Sequence, residues 1–233
     1  MVRSLRWAPT QLPGFATYIA ERTRFFDETL LAALDRGVHQ VVIAGAGYDG
    51  RALRFRKACV TYFEVDHPAT QADKRERLRR VSADTAHISF VPVDFGRDSI
   101  ADALAAAGHR AEAPTHFLCE GVAAYLPLSD LSELVRVLAE RAAPRSTLAV
   151  DIVEPGRRKP LTSRLVLRLM RTGTAMMGER IVTLLEPDDA CRLLVGAGWF
   201  GVTLRHPPAG RYPVVFALAS TERPSRGGVG SRA

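Results

Sequence analysis

An apolar run that stops abruptly in a cluster of glycines constrains the fold of this chain more than any other feature. Residues 38–50 read VHQVVIAGAGYDG, with glycines at positions 45, 47 and 50. Continuous β-branched residues predict a strand buried on both faces, as in parallel sheets. Glycines directly after it permit a tight turn and a close approach of the backbone to a ligand. The stretch predicts a strand, a cofactor-binding loop and a short helix over 50–56, although a plain strand-turn-helix would also favour glycine.

Strands and helices alternate along most of the chain, which predicts an α/β fold with a mainly parallel sheet. After the first strand, over 38–44, further strands are expected over 60–65, 88–93, 116–119, 146–153, 199–206 and 212–219. Further helices are expected over 15–36, 68–80, 98–107, 127–142, 161–170 and 187–196. The last two strands are separated by only a short connection, so they should form an antiparallel hairpin at the sheet edge.

These elements predict a single domain with a doubly wound, Rossmann-like sheet of seven strands. The domain is expected to cover residues 1–220 and to begin with a short helical cap over 1–37. Residues 221–233 are expected to be a disordered tail, since they are polar and glycine-rich at the chain terminus.

Composition excludes several classes of protein. No apolar run approaches the ~20 residues of a membrane helix, and residues 1–14 lack the apolar core of a signal peptide. The three cysteines are far apart in apolar segments, so we expect free buried thiols and a cytoplasmic location. The six histidines show no HxxxH or HxE spacing, so no metal site is predicted. The net charge of +7 could indicate a nucleic-acid partner. However, the arginines are spread along the whole chain, and no nucleic-acid partner or integral membrane association is predicted.

A carboxylate follows three of the first four predicted strands: Asp66, Asp94 and Glu120. Ligands of doubly wound sheets bind at the carboxyl ends of the strands, so these acids should lie together. Asp66, rather than Glu64 on the same strand, is expected to accept hydrogen bonds from ribose hydroxyls. Asp94 can accept one from an adenine amine. The pattern fits both NAD(P) and S-adenosylmethionine, and the several acids favour the cationic cofactor.

Four segments, 40–55, 62–74, 91–95 and 117–127, resemble the leucine carboxyl methyltransferase family in sequence and in order. That family comprises S-adenosylmethionine-dependent O-methyltransferases with the class I methyltransferase fold, and some bacterial members act on polyketides and other natural products. The resemblance covers residues 15–155 well. Asp49-Gly50-Arg51 stands where the family usually carries Asp-Thr-Arg, and the family's longer N-terminal region suggests a reduced lid in this chain.

The resemblance implies a role for each matching residue. Arg22 would pair with the carboxylate of S-adenosylmethionine, and Gly45, Ala46 and Gly47 would let its amino-acid part lie on the backbone. Asp66 would hold the ribose, and Asp94 with Phe95 would frame the adenine. Glu120 would face the amino-acid end, and Tyr125 would lie near the methyl group and the acceptor.

The function expected from these observations is methyl transfer to a carboxylate or hydroxyl of a small-molecule natural product. Because no general base is assigned, a carboxylate or an acidic phenol is slightly favoured as the methyl acceptor. An NAD(P)-binding oxidoreductase and a non-catalytic S-adenosylmethionine-binding protein remain as alternatives. The basic segment 157–171 could attract an anionic substrate or form a solvated helix face, and the oligomeric state is left open.

Overall fold

A computed structural model describes residues 14–155, 161–176, 180–207 and 212–223 of the chain. The helices are α1 (Phe15–Asp35), α2 (Arg51–Arg54), α3 (Pro68–Arg80), α4 (Ile100–Ala106), α5 (Leu128–Glu140), α6 (Leu161–Met176) and α7 (Pro187–Gly196). The strands are β1 (Gln40–Ala44), β2 (Thr61–Asp66), β3 (Ile88–Pro92), β4 (Thr115–Cys119), β5 (Thr147–Val153), β6 (Phe200–Arg205) and β7 (Val214–Ser220). Every predicted element is present, and α6 extends six residues beyond its predicted end.

The seven strands form one sheet in the order β3-β2-β1-β4-β5-β7-β6. Pairs among β1 to β5 are parallel, whereas β7 runs antiparallel to both β5 and β6. The predicted mainly parallel sheet with an antiparallel C-terminal pair is therefore confirmed. The order reverses between β1 and β4, and this switch point is where doubly wound sheets open a crevice for ligands.

Both faces of the sheet are covered by helices. Within β1, Val42 and Ala44 belong to a core that also holds buried residues of α4, α5 and α7. Val41 and Ile43 belong to a second core with residues of α1, α2 and α6. Because side chains alternate between the faces of a strand, an uninterrupted apolar run requires cover on both sides. The continuous apolar character of residues 41–44 is thus the direct cause of a three-layer arrangement.

Some expectations lie at or beyond the limits of the described residues. Most of the predicted helical cap is α1, while 1–13 lie outside the described part of the chain. In the predicted tail, the Thr221 N–H donates to the Ser146 carbonyl at 3.1 Å, and 224–233 are again outside. Residues 157–160 of the basic segment are outside as well. The prediction of three buried thiols is correct only for Cys119: Cys191 is partly buried, and Cys59 is exposed because it lies in a turn with φ of 63° ahead of β2.

Within the described ranges, no helix has the length and apolar character needed to cross a membrane. The same residues contain no group of three or more His, Cys, Asp or Glu side chains arranged so that they could hold a metal ion.

Candidate active site

The loop that follows β1 is held tightly against two neighbouring segments. The N–H groups of Gly45 and Ala46 both donate to the Val65 carbonyl, at 2.8 and 3.0 Å. Gly45 has φ of +68°, and a Cβ placed on it would lie 2.2 Å from Cγ2 of Val122 in the loop after β4. Gly47 has φ of +45°. Glycine is therefore required here by backbone conformation and, at Gly45, by space as well.

Asp66 ends β2 beside this glycine loop. Its carboxylate accepts hydrogen bonds from the Gly47 N–H and, at 2.6 Å, from the His67 N–H. The aspartate is only partly buried. The structure therefore places Asp66 where the sequence expects it, next to the loop at the carboxyl edge of the sheet.

Glu64, the other acid of β2, has a different environment. It is 1% exposed, and its carboxylate lies 2.6 Å from Nζ of Lys74 on α3. Burial raises the pKa of Glu64, and Lys74 opposes the rise. Nζ of Lys74 also donates to the Asp49 carbonyl at 2.8 Å. This buried pair fastens α3 to the glycine loop, so Asp66 rather than Glu64 remains accessible to a ligand.

Arg22 of α1 reaches the ends of β4 and β5. Its Nε lies 2.8 Å from Oε1 of Glu120, and its Nη1 lies 3.7 Å from Oδ2 of Asp151. Asp151 also accepts the Gly121 N–H at 2.6 Å. Burial raises the pKa of Asp151, while Arg22 counteracts the rise. Arg22, which is predicted to bind the cofactor carboxylate, is therefore paired with Glu120, which is predicted to face the same end of the cofactor.

Arg51, at the start of α2, is the most connected side chain of the site. Its Nε lies 2.7 Å from Oδ1 of Asp27, and its Nη1 lies 2.6 Å from Asp49 and 2.5 Å from Oε2 of Glu120. Burial lowers the pKa of Arg51, but Asp49 and Glu120 outweigh burial and the pKa is raised. With 4% exposure, this guanidinium joins α1, the glycine loop and the end of β4.

A cavity of about 410 Å³ opens between these elements. Six of the predicted site residues line it: Arg22, Gly45, Ala46, Gly47, Glu120 and Tyr125. Asp66, Asp94 and Phe95 are not among its lining residues. The Val93 N–H donates to the Asp66 carbonyl at 2.8 Å, so the loop that carries Asp94 runs beside Asp66. Phe95 lines a separate cavity of about 520 Å³ between the start of α4 and α5.

The loop that carries Tyr125 is fixed by the chain ahead of α7. Val182 and Thr183 donate their N–H groups to the Ala124 carbonyl at 2.8 and 3.1 Å. The Thr183 hydroxyl donates to the Leu126 carbonyl at 2.6 Å. Tyr125 is thus presented to the cavity from a braced loop.

Arg51, Asp27, Asp49 and Asp151 are the residues of this network that the sequence analysis did not assign to the site. The available signal for two of them was the family's Asp-x-Arg triplet, which residues 49–51 match. No spacing rule points to Asp27 or Asp151, because they reach the site only when α1 and β5 are packed.

The profile of the family described as leucine carboxyl methyltransferase matches residues 4–139. The chain belongs to this family. A relative from Mycobacterium avium is 37% identical over 186 residues, which are 78% of this chain and 58% of the relative. Its name assigns it provisionally to the S-adenosyl-L-methionine-dependent methyltransferases. The chain spans about half the length of the curated relatives it matches.

Solved structures share the fold at low sequence identity. A duf574 family protein from Streptomyces avermitilis aligns with a TM-score of 0.64 and 15% identity, over 88% of this chain and 83% of that one. Magnesium protoporphyrin IX methyltransferase from Synechocystis, solved with bound SAH, aligns with a TM-score of 0.58 and 14% identity, over 86% and 84%. The predicted class I methyltransferase fold is confirmed.

Proposed function

We propose that this chain is a methyltransferase domain that binds S-adenosylmethionine at the glycine loop and transfers its methyl group to a small-molecule acceptor. The charge around the loop is the observation that carries the proposal. Among the described residues there, carboxylates outnumber guanidinium groups: Asp27, Asp49, Asp66, Glu120 and Asp151 against Arg22, Arg51 and Arg54. An excess of negative charge suits a cofactor that carries both an ammonium and a sulfonium.

The same site is poorly suited to the pyrophosphate of NAD(P). Such a group normally lies at the N-terminus of the helix that follows the glycine loop. Here that helix is only four residues long, and Oδ1 of Asp49 already accepts the Arg51 N–H at 2.6 Å. A carboxylate at this position would repel a second anion, which argues against the oxidoreductase alternative.

The cofactor supplies the electrophilic methyl group. The residues of the chain bind and orient the cofactor and the acceptor, and they exclude water. Arg22 offers a forked donor for the cofactor carboxylate, and Glu120 offers an acceptor for its ammonium. Asp66, which lies beside the loop, would accept hydrogen bonds from the ribose hydroxyls. Tyr125, on its braced loop, would border the methyl group and the acceptor.

We propose transfer to oxygen, with a carboxylate as the first acceptor class to test. No histidine lines the cavity among the described residues. His116 lies at the start of β4, away from the carboxyl edge, and its Nδ1 is 2.7 Å from the Thr147 hydroxyl. Burial lowers its pKa to about 3. A carboxylate is nucleophilic without a general base, whereas an alcohol usually needs one.

A small-molecule acceptor also agrees with the pairing of the basic helix α3. Arg77 pairs with Asp73, and Arg79 and Arg80 both pair with Glu76, at 2.6 to 2.9 Å. These arginines form a solvated face that acids of the same helix partly neutralise, which is unlike the focused basic patch of a nucleic-acid-binding protein.

Isothermal titration with S-adenosylmethionine, S-adenosylhomocysteine and NADPH tests the cofactor. We expect the first two to bind and Asp66→Ala to weaken both at least about tenfold, since hydrogen bonds to a charged acceptor are lost. Asp84→Ala, which removes an exposed carboxylate of the connection between α3 and β3, is the matched control and should bind normally. Binding of NADPH alone would refute the proposal.

Formation of S-adenosylhomocysteine with a panel of carboxylic acids, phenols and alcohols then tests the reaction. Carboxylic acids are expected to support turnover. Cofactor binding with no turnover on any acceptor would favour the non-catalytic alternative.

A further inference from the structure

We infer that Arg51 is a positioning residue for the amino-acid end of the cofactor and acts through Glu120. This inference rests on the proposed function, because it assumes that Glu120 receives the cofactor's ammonium. Arg51 itself would touch the carboxylates that surround it and not the reacting atoms.

Both oxygens of Glu120 are engaged in the structure, but by arginines in different situations. Oε1 pairs with Arg22, which is partly exposed and lines the cavity. Oε2 pairs with Arg51, which also borders the cavity but is almost fully buried. When Arg22 turns to a bound carboxylate, Oε1 becomes available for an ammonium, and Oε2 stays with Arg51. The same glutamate can thus exchange one partner while the other holds it in place.

The remaining contacts of Arg51 explain why it can serve as a fixed support. Asp27 of α1 holds its Nε, and Asp49 of the glycine loop holds its Nη1. The Thr23 carbonyl accepts from its Nη2 at 3.4 Å, and its guanidinium lies over the Phe26 ring at 5.5 Å. A planar guanidinium with several fixed donors can satisfy three carboxylates at once, which a lysine ammonium cannot do with the same geometry.

Arg56, two residues after the end of α2, provides a control for a charge-preserving change in the same segment. It is half exposed, pairs with Asp84 and is not among the residues that line the cavity. A variant at Arg56 therefore changes a neighbouring arginine without releasing Glu120.

The test compares two ligands that differ only at the amino-acid end. S-Adenosylhomocysteine carries the amino-acid group, and 5′-methylthioadenosine lacks it. For Arg51→Lys, which keeps the charge, we expect the dissociation constant of S-adenosylhomocysteine to rise about tenfold, as for a charged pair losing its geometry. The affinity for 5′-methylthioadenosine should stay within about twofold, and Arg56→Lys should leave the affinities for both ligands unchanged.

In a Glu120→Gln background, Arg51→Lys should have little further effect on S-adenosylhomocysteine, since the contact through which it acts is already weakened. If Arg51→Lys lost affinity equally for both ligands, the inference would be overturned, because equal losses indicate a general structural role. Unchanged affinity for S-adenosylhomocysteine would overturn it too. If Arg51→Lys does not fold, Asp27→Asn loosens the same guanidinium and must show the same selectivity for the amino-acid end.

The wild-type protein separates this inference from the proposed function. If it binds neither S-adenosylmethionine nor S-adenosylhomocysteine, both fall together. If it binds them and the Arg51→Lys variant binds them equally well, only the inference is refuted.

Discussion

Replacement of Gly45 by alanine tests whether the loop after β1 is as constrained as its geometry indicates. The residue has φ of +68°, and the added Cβ would meet Cγ2 of Val122 at 2.2 Å. A left-handed conformation costs an L-residue about 1–2 kcal/mol, and overpacking adds about 1–3 kcal/mol. For a chain of this size, a total of about 2–5 kcal/mol lowers Tm by about 4–20 °C.

Thermal unfolding followed by circular dichroism measures this loss, and titration with S-adenosylhomocysteine measures the effect on the site. Gly50→Ala is the control within the same loop, because Gly50 has φ of −100° and nothing within 4 Å of an added Cβ. Adding Val122→Ala to Gly45→Ala should restore part of the stability, by relieving the overlap but not the backbone strain. A Gly45→Ala protein with the Tm and affinity of the wild type would refute the reasoning.

Three further predictions concern stability. Lys74→Met should cost about 3–5 kcal/mol at neutral pH, since it leaves Glu64 buried and unpaired. The pKa of Glu64 is raised in the folded state, so at low pH the buried side chain is protonated and carries no unpaired charge. Denaturant unfolding should therefore show a smaller loss in the free energy of unfolding at low pH than at pH 8. The wild-type free energy of unfolding should fall as pH drops below about 6.5, since His116 must stay neutral to remain buried; His116→Asn should flatten that slope. Trp199→Phe should lower the free energy of unfolding by about 2–4 kcal/mol, measured by urea unfolding. The change removes the hydrogen bond from the indole N–H to the Val135 carbonyl and opens a cavity.

The fold could be predicted from the sequence because its signals are local. The apolar residues of β1, the prolines at the starts of α3 and α7, and Ser99 ahead of α4 each act within a few positions of themselves. The Ser99 hydroxyl accepts the Asp102 N–H at 3.2 Å, as an N-cap does. Apart from the end of α6, the boundaries moved by at most two residues, since strand ends depend on which neighbours supply hydrogen bonds.

The site could be predicted only in part, for the same reason. Glycines at 45 and 47 and acids after successive strands follow from topology, because parallel strands bring their carboxyl ends to one edge. The structure brings Arg22, the glycine loop, Glu120 and Tyr125 to one cavity. The adenine roles of Asp94 and Phe95 stay predictions, since these residues lie on the next loop outside that cavity.

The ion-pair network escaped prediction because its partners are distant in sequence. Arg51 is 24 residues from Asp27 and 69 from Glu120, so no periodicity or spacing rule connects them. Their encounter depends on α1 packing across the ends of β1 and β4. The overall charge is misleading for the same reason: a chain with a net charge of +7 surrounds its glycine loop with an excess of carboxylates. Composition averages over the whole surface, whereas ligand chemistry depends on the few side chains that the fold brings together, and here those side chains favour a cationic ligand.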